Sequence, residues 1–133
     1  MIEWNDKFSV NVSIIDEEHK KLIDIINKAF VAKQHGSNPE EILEILNDMV
    51  EYAQKHFKTE ETYMIEFNYP EYQDHKKEHH AYCIRALSYH TSVTLGEYQD
   101  ANEVLEYVKQ WWVNHIQKTD KKYTSCFNKH GLK

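Results

Sequence analysis

Five histidines and two carboxylates in this chain of 133 residues have the types and spacing of a metal centre: His19, His56 with Glu60, His75 with His79, and His115 with Asp120. His56 and Glu60 are four residues apart, as are His75 and His79, so each pair lies on one face of a helix. The set offers imidazole and carboxylate but no thiolate. That mixture suits iron, and the set is large enough to hold two metal ions. These residues act together only if the fold brings them together.

The breaks in the chain indicate which elements carry them. Gly and Pro number only 3 and 2, too few for the many tight turns of an all-β fold. Gly36-Ser37-Asn38-Pro39, Asn68-Tyr69-Pro70 and Leu95-Gly96 separate long stretches of helical periodicity. Gly36 suits the position just past a helix end, and Asn38-Pro39 suits an N-cap followed by the first helical residue. The pattern predicts an all-α fold with helices over about 16–35, 39–66, 71–91 and 97–118. An irregular N-terminal arm with Trp4 and Phe8 precedes them, and a short C-terminal tail from Asp120 to Lys133 follows. Short connections between long helices imply an up-down-up-down four-helix bundle, and the length implies a single domain over 1–133.

Each predicted helix has an inward stripe at alternating steps of three and four. The stripes are Ile15, His19, Leu22, Ile26 and Ala29, then Ile42, Leu46, Met49, Ala53, His56, Glu60, Met64 and Phe67. The third is Tyr72, His75, His79, Tyr82 and Ala86, and the fourth Ala101, Val104, Val108, Trp111 and His115. Six of the seven candidates therefore replace core residues. Asp120 lies five past His115 and turns inward only if the helix breaks or tightens there.

Rise per residue tests whether the stripes meet. His19 and His56 each lie roughly 18 residues from the first turn, so they are level in an antiparallel hairpin. The second-helix and third-helix pairs are about 11 and 8 residues from their shared turn, a mismatch of roughly 5 Å. Around the last turn the third-helix pair and His115 are about 18 and 20 residues away. All four helices thus deliver ligands to one layer. Burying so many polar groups without strong partners would cost several kcal/mol each, roughly; a bound metal offsets that cost.

The other histidines, His35, His80, His90 and His130, fall at a helix end, off the stripes or in the tail, and are not ligand candidates. His75-Lys76-Lys77-Glu78-His79 matches the H-x-x-E-H pattern of some zinc peptidases. That reading leaves His19, His56, Glu60 and His115 without a role, and Glu78 reads as a solvated surface residue. The Glu-x-x-His signature of ferritin-like carboxylate proteins does not occur in the chain.

Composition excludes several partners. A net charge of -6, with no basic stretch carrying aromatics, argues against nucleic acid. No apolar run approaches the roughly 20 residues of a membrane span. The start MIEWNDKFSV is not a signal peptide. Cys83 and Cys126 are far apart and read as free thiols in a reducing compartment. The expectation is a soluble cytoplasmic protein.

With these residues in view, the chain resembles the hemerythrins, in the single-domain form called bacteriohemerythrin. The matching segments are IDEEHKKL around His19, HFKTEE around His56 and Glu60, HKKEH from His75 to His79, and WWVNHIQKTDKKY around His115 and Asp120. Tyr69-Pro70 and Trp4 also fit. The resemblance spans essentially the whole chain and implies two iron ions with a bridging oxo or hydroxo ligand. It assigns His75, His79 and His115 to one iron, His19 and His56 to the other, and Glu60 and Asp120 to both. Two octahedral metals offer about twelve positions, and this set with the bridging oxygen fills about eleven. The open position falls on the iron of His19 and His56.

The implied function is reversible dioxygen binding as carrier, store or local supply, without enzymatic turnover. A di-iron oxidase or peroxidase, a scavenger of nitric oxide or peroxide, and an oxygen-sensing or iron-storage module are the alternatives. Leu22, Phe57, Trp111 and Ile116 match the positions that line the dioxygen pocket. Four departures stand out. Glu18 replaces a frequent Gln and is expected to face solvent; Asn11 replaces a frequent Gly; Trp112 stands where Leu is common, and Tyr82 where Phe is common.

Overall fold

The computed structural model describes residues 2–36, 38–96 and 101–133, and for residues 39, 93, 101 and 102 the backbone alone. The chain is all-α: α1 runs Ser13–Gln34, α2 Pro39–Glu66, α3 Tyr72–Thr94 and α4 Ala101–Asn114. A π-helical turn, His115–Thr119, extends α4, followed by a 3-10 turn, Asp120–Tyr123, and a short α5, Thr124–Lys129. The expected helix over 97–118 begins on residues outside the described set and loses α geometry after Asn114. Ser37, part of the first expected break, also lies outside the described residues.

Local chemistry sets the breaks. The Asn38 side chain accepts the Glu41 N–H at 2.9 Å, with Pro39 in the first turn, so α2 starts where the sequence places it. α2 ends in a reversal: the Tyr69 N–H bonds the Met64 carbonyl at 2.8 Å and the Asn68 N–H bonds that of Ile65 at 3.2 Å. Asn68 takes φ 53, a left-handed conformation that Asn tolerates better than most residues. This reversal buries Tyr69 and starts α3 antiparallel to α2. Asn11 in the arm also takes a left-handed conformation, with φ 56.

α1 packs on α2 and α4, and α2 on α3, giving the up-down-up-down bundle. The core lies in two parts. The larger contains Leu22, Ile26, Met49, Phe57, Tyr82, Leu105 and Trp112, and the smaller Ile15, Met64, Tyr69, Tyr123 and Phe127. In α4 the stripe is displaced from expectation: Trp112 is fully buried while Trp111 is only partly so.

The arm is ordered against the bundle. Asn27 holds Ile2 through paired bonds of 2.9 and 2.8 Å. Asp16 accepts from Ser9 Oγ at 2.6 Å and from the Val10 N–H at 2.8 Å. The tail is tied back by Thr124 Oγ1 to the Val10 carbonyl at 2.7 Å. Cys83 and Cys126 are free. No helix among the described residues is long and apolar enough to cross a membrane.

Candidate metal centre

The first three helices and the turns that follow α4 bring all seven candidate residues into one buried cluster, each 0–2 % exposed. Glu60, His75, His79, His115 and Asp120 form one group whose ligand atoms lie within 4.8 Å of one another. His19, His56, Glu60 and Asp120 form a second. Both groups contain the two carboxylates, and each carboxylate touches histidines of both. Asp120 Oδ2 is 3.0 Å from His19 Nε2, while Oδ1 is 2.9 Å from His75 Nε2 and 3.0 Å from His115 Nε2. Glu60 Oε1 is 3.0 Å from His56 Nε2 and 3.4 Å from His79 Nε2.

Asp120 arrives by a widened turn rather than a tightened one. Its N–H bonds the His115 carbonyl, a five-residue step. In an α-helix a residue five along points well off the face of the first. The extra residue of the π turn carries Asp120 back to the face of His115. Turns of this kind are frequent at functional sites.

The donor atoms fit metal ions. His19 Nε2 lies 2.9 Å from His56 Nε2, and His79 Nε2 lies 3.1 Å from His115 Nε2. One proton can join such a pair, but it leaves the surrounding acceptors unsatisfied. Asp120 Oδ1 and Oδ2, Glu60 Oε1 and His75 Nε2 are buried without a hydrogen-bond partner despite their short contacts. These atoms are close but not aligned to share protons. Neighbouring ligands on an octahedron with bonds of about 2.1 Å stand about 3.0 Å apart, which matches the spacings here.

Three glutamates orient three of the imidazoles. His56 Nδ1 donates to Glu18 at 2.7 Å, His79 Nδ1 to Glu61 at 2.9 Å, and His115 Nδ1 to Glu78 at 3.2 Å. A carboxylate on Nδ1 fixes the tautomer, turns the Nε2 lone pair inward and raises its basicity. Glu18, expected to face solvent, is half-buried against His56, whereas Glu78 is exposed as the sequence suggests yet still reaches His115. Glu18 also accepts from Thr59 at 3.3 Å, and Glu78 from Thr119 at 2.9 Å. The available signal was position: each glutamate adjoins a ligand candidate in sequence. Tyr123 was also missed; its hydroxyl donates to Glu60 Oε2 at 2.5 Å, and its ring stacks on His75 at 5.6 Å. Glu18→Ala is expected to weaken metal affinity about 10–100-fold, read by competition with a chelator. Unchanged affinity would mean that packing alone orients His56.

The buried charges reinforce one another. Burial alone would lower the His56 pKa, but Glu60 and the bond to Glu18 outweigh it and raise the group to about 10. Burial likewise opposes protonation of His115, and Asp120 and Glu78 raise it to about 9. Burial and mutual repulsion work against Glu60 and Asp120 as anions, yet the histidines hold both below the usual carboxylate range.

An aromatic wall covers one side. Phe57 stacks on His79 at 3.8 Å and on Trp112 at 5.5 Å. Trp112 is 6.1 Å from both His56 and His115, while Trp111 stacks on His115 at 4.4 Å. Of the four expected pocket residues, Leu22, Phe57 and Ile116 are buried in the same core as Trp112. Trp111 is beside the three-histidine group, whereas Trp112 reaches His56. The Tyr82 and Trp112 rings lie 5.3 Å apart, and their polar atoms are buried without an aligned hydrogen bond.

Comparison with known proteins follows the same line. The Hemerythrin HHE cation binding domain matches residues 10–126. A bacteriohemerythrin of Methylococcus capsulatus is 33% identical over 122 residues, covering 92% of each chain. One from Clostridium acetobutylicum is 29% identical over 127 residues, covering 92% of this chain and 98% of that relative. A wild-type hemerythrin crystal structure superposes with a TM-score of 0.86 at 30% identity, over 95% of this chain and 97% of the other.

Proposed function

Because the chain belongs to the hemerythrin family, we propose that it binds dioxygen reversibly at a non-haem di-iron centre. His75, His79 and His115 would hold one iron and His19 and His56 the other, with Glu60 and Asp120 shared between them. The observation that carries this reading is the pair of shared carboxylates, each in contact with histidines of both groups. Iron, when bound, supplies electrons that dioxygen takes up and returns.

The protein's own contributions are position, dryness and charge. Glu18, Glu61 and Glu78 hold three imidazoles in one tautomer, and Tyr123 fixes Glu60 from behind. Two donors against three supports an open position on the iron of His19 and His56. Phe57 and Trp112 supply apolar surface beside His56, and Leu22 and Ile116 are buried in the same core. Such a wall excludes water and slows irreversible oxidation.

Reduction under anaerobic conditions, followed by addition and removal of dioxygen, tests the reading in the visible spectrum. An absorption change that appears with dioxygen and reverses on its removal is expected. Irreversible bleaching, with consumption of peroxide or a reductant, would establish an oxidase or peroxidase instead.

A further inference from the structure

We propose that the acidic cleft at the start of α3 is the port through which divalent metal ions reach the buried centre, with His75 as the residue that admits them. The inference rests on the reading that the seven buried residues hold metal. Since each of them is 0–2 % exposed, an ion must enter past a side chain.

A cleft and a groove touch the set, and their charges differ. A small cleft of about 20 Å³ reaches His75 and is rimmed by Glu71, Asp74, Glu78, Thr119 and Lys122. Its size admits one water-sized guest at a time. A wider groove of about 420 Å³ reaches His79 and is lined by Lys58, Lys76, His80 and Glu61. The cleft sets Glu71, Asp74 and Glu78, the last already bonded to His115, against one lysine. The groove sets two lysines against one carboxylate, which is already bonded to His79. A rim of one sign concentrates ions of the other, so divalent cations favour the cleft.

The second observation is His75 itself. It is 2 % exposed, it lines the cleft, and neither ring nitrogen has a hydrogen-bond partner. His56, His79 and His115 are each pinned by a glutamate. His19 also lacks a partner on Nδ1, but it is fully buried and lines no described opening. His75 is thus a ligand candidate next to an opening whose ring is held by packing on Tyr123 and by no hydrogen bond. It stands between the rim and Asp120, which is 2.9 Å from its Nε2, and so can pass an ion from one to the other. Glu71 and Asp74 stand outside the ligand set and are both exposed, so they can be changed without touching a ligand.

Uptake of cobalt(II) or ferrous ion by anaerobic, metal-free protein, followed by stopped-flow absorbance, tests the port. The Glu71→Gln/Asp74→Asn variant is expected to load about tenfold more slowly at low ionic strength, the difference shrinking in high salt. Its final metal content should equal that of the wild type, Asp74→Glu should load at the wild-type rate, and far-UV circular dichroism should be unchanged. Lys58→Gln/Lys76→Gln should load as the wild type does. Equal rates in the acidic-rim variant, or faster loading only in the lysine variant, would overturn the port while leaving the metal site intact. No uptake by the wild-type protein would overturn both.

Discussion

Asp120→Ala is expected to hold less than one iron per chain where the wild type holds about two. Asp120 places one carboxylate oxygen on each group, Oδ2 by His19 and Oδ1 by His75 and His115. On the proposed reading its loss removes a ligand from both ions at once. Even a group that only orients a ligand changes affinity about 10–100-fold, and a shared ligand counts for more. Removal of the carboxylate also leaves three imidazoles facing a cavity without its charge, so the variant should unfold at a lower temperature. Metal analysis after anaerobic loading, together with a thermal melt, reads both effects. Asp120→Ala with two irons and an unchanged melt would exclude the bridging role.

Metal loading is expected to release about two protons per chain near pH 7. In the metal-free protein His56 is raised to about 10 and His115 to about 9, so both are protonated at neutral pH. Metal ions bind the neutral imidazole, and those protons must leave. Affinity should then climb by up to about a hundredfold per pH unit between roughly 6.5 and 9, and level off above about 10. The metal-free protein follows the opposite trend. Histidines with raised pKa values stabilise it fully below about 6.5, and that stability is lost as pH rises through 9 to 10. Glu60 and Asp120, held low, contribute above about pH 4, and their contribution is lost as pH falls through their depressed values. The stability gap between metal-bound and metal-free protein should therefore widen with pH. Calorimetry in buffers of different ionisation enthalpy counts the protons; none released at pH 7 would mean the imidazoles are already neutral.

The layer of ligands was legible in the sequence because it depends only on helix rise and the position of turns. Asn38-Pro39 and Asn68 carry strong local signals, and α2 begins and ends where they place it. The π turn was not legible. Whether a helix widens or tightens after His115 depends on what the extra residue gains, and here Asp120 gains the cluster. Trp111 and Trp112 are adjacent, about 100° apart on the helix, and a stripe with period 3.6 can turn either inward. Packing against Phe57 and Tyr82 selects Trp112 for full burial. Glu18, Glu61 and Glu78 escaped for another reason. A charged residue on an outer helix face reads as solvated, and only the neighbouring helix shows that its carboxylate reaches a ring nitrogen 38, 18 or 37 residues away in sequence.

The proposed centre is a pair of metal ions held by one chain in one shared cluster. Anaerobic titration of the metal-free protein with ferrous ion, monitored by Mössbauer spectroscopy after oxidation, tests it most directly. Saturation at two irons per chain, with a spin-coupled pair, is the expected result. Saturation at one iron, or two irons that remain magnetically independent, would contradict it.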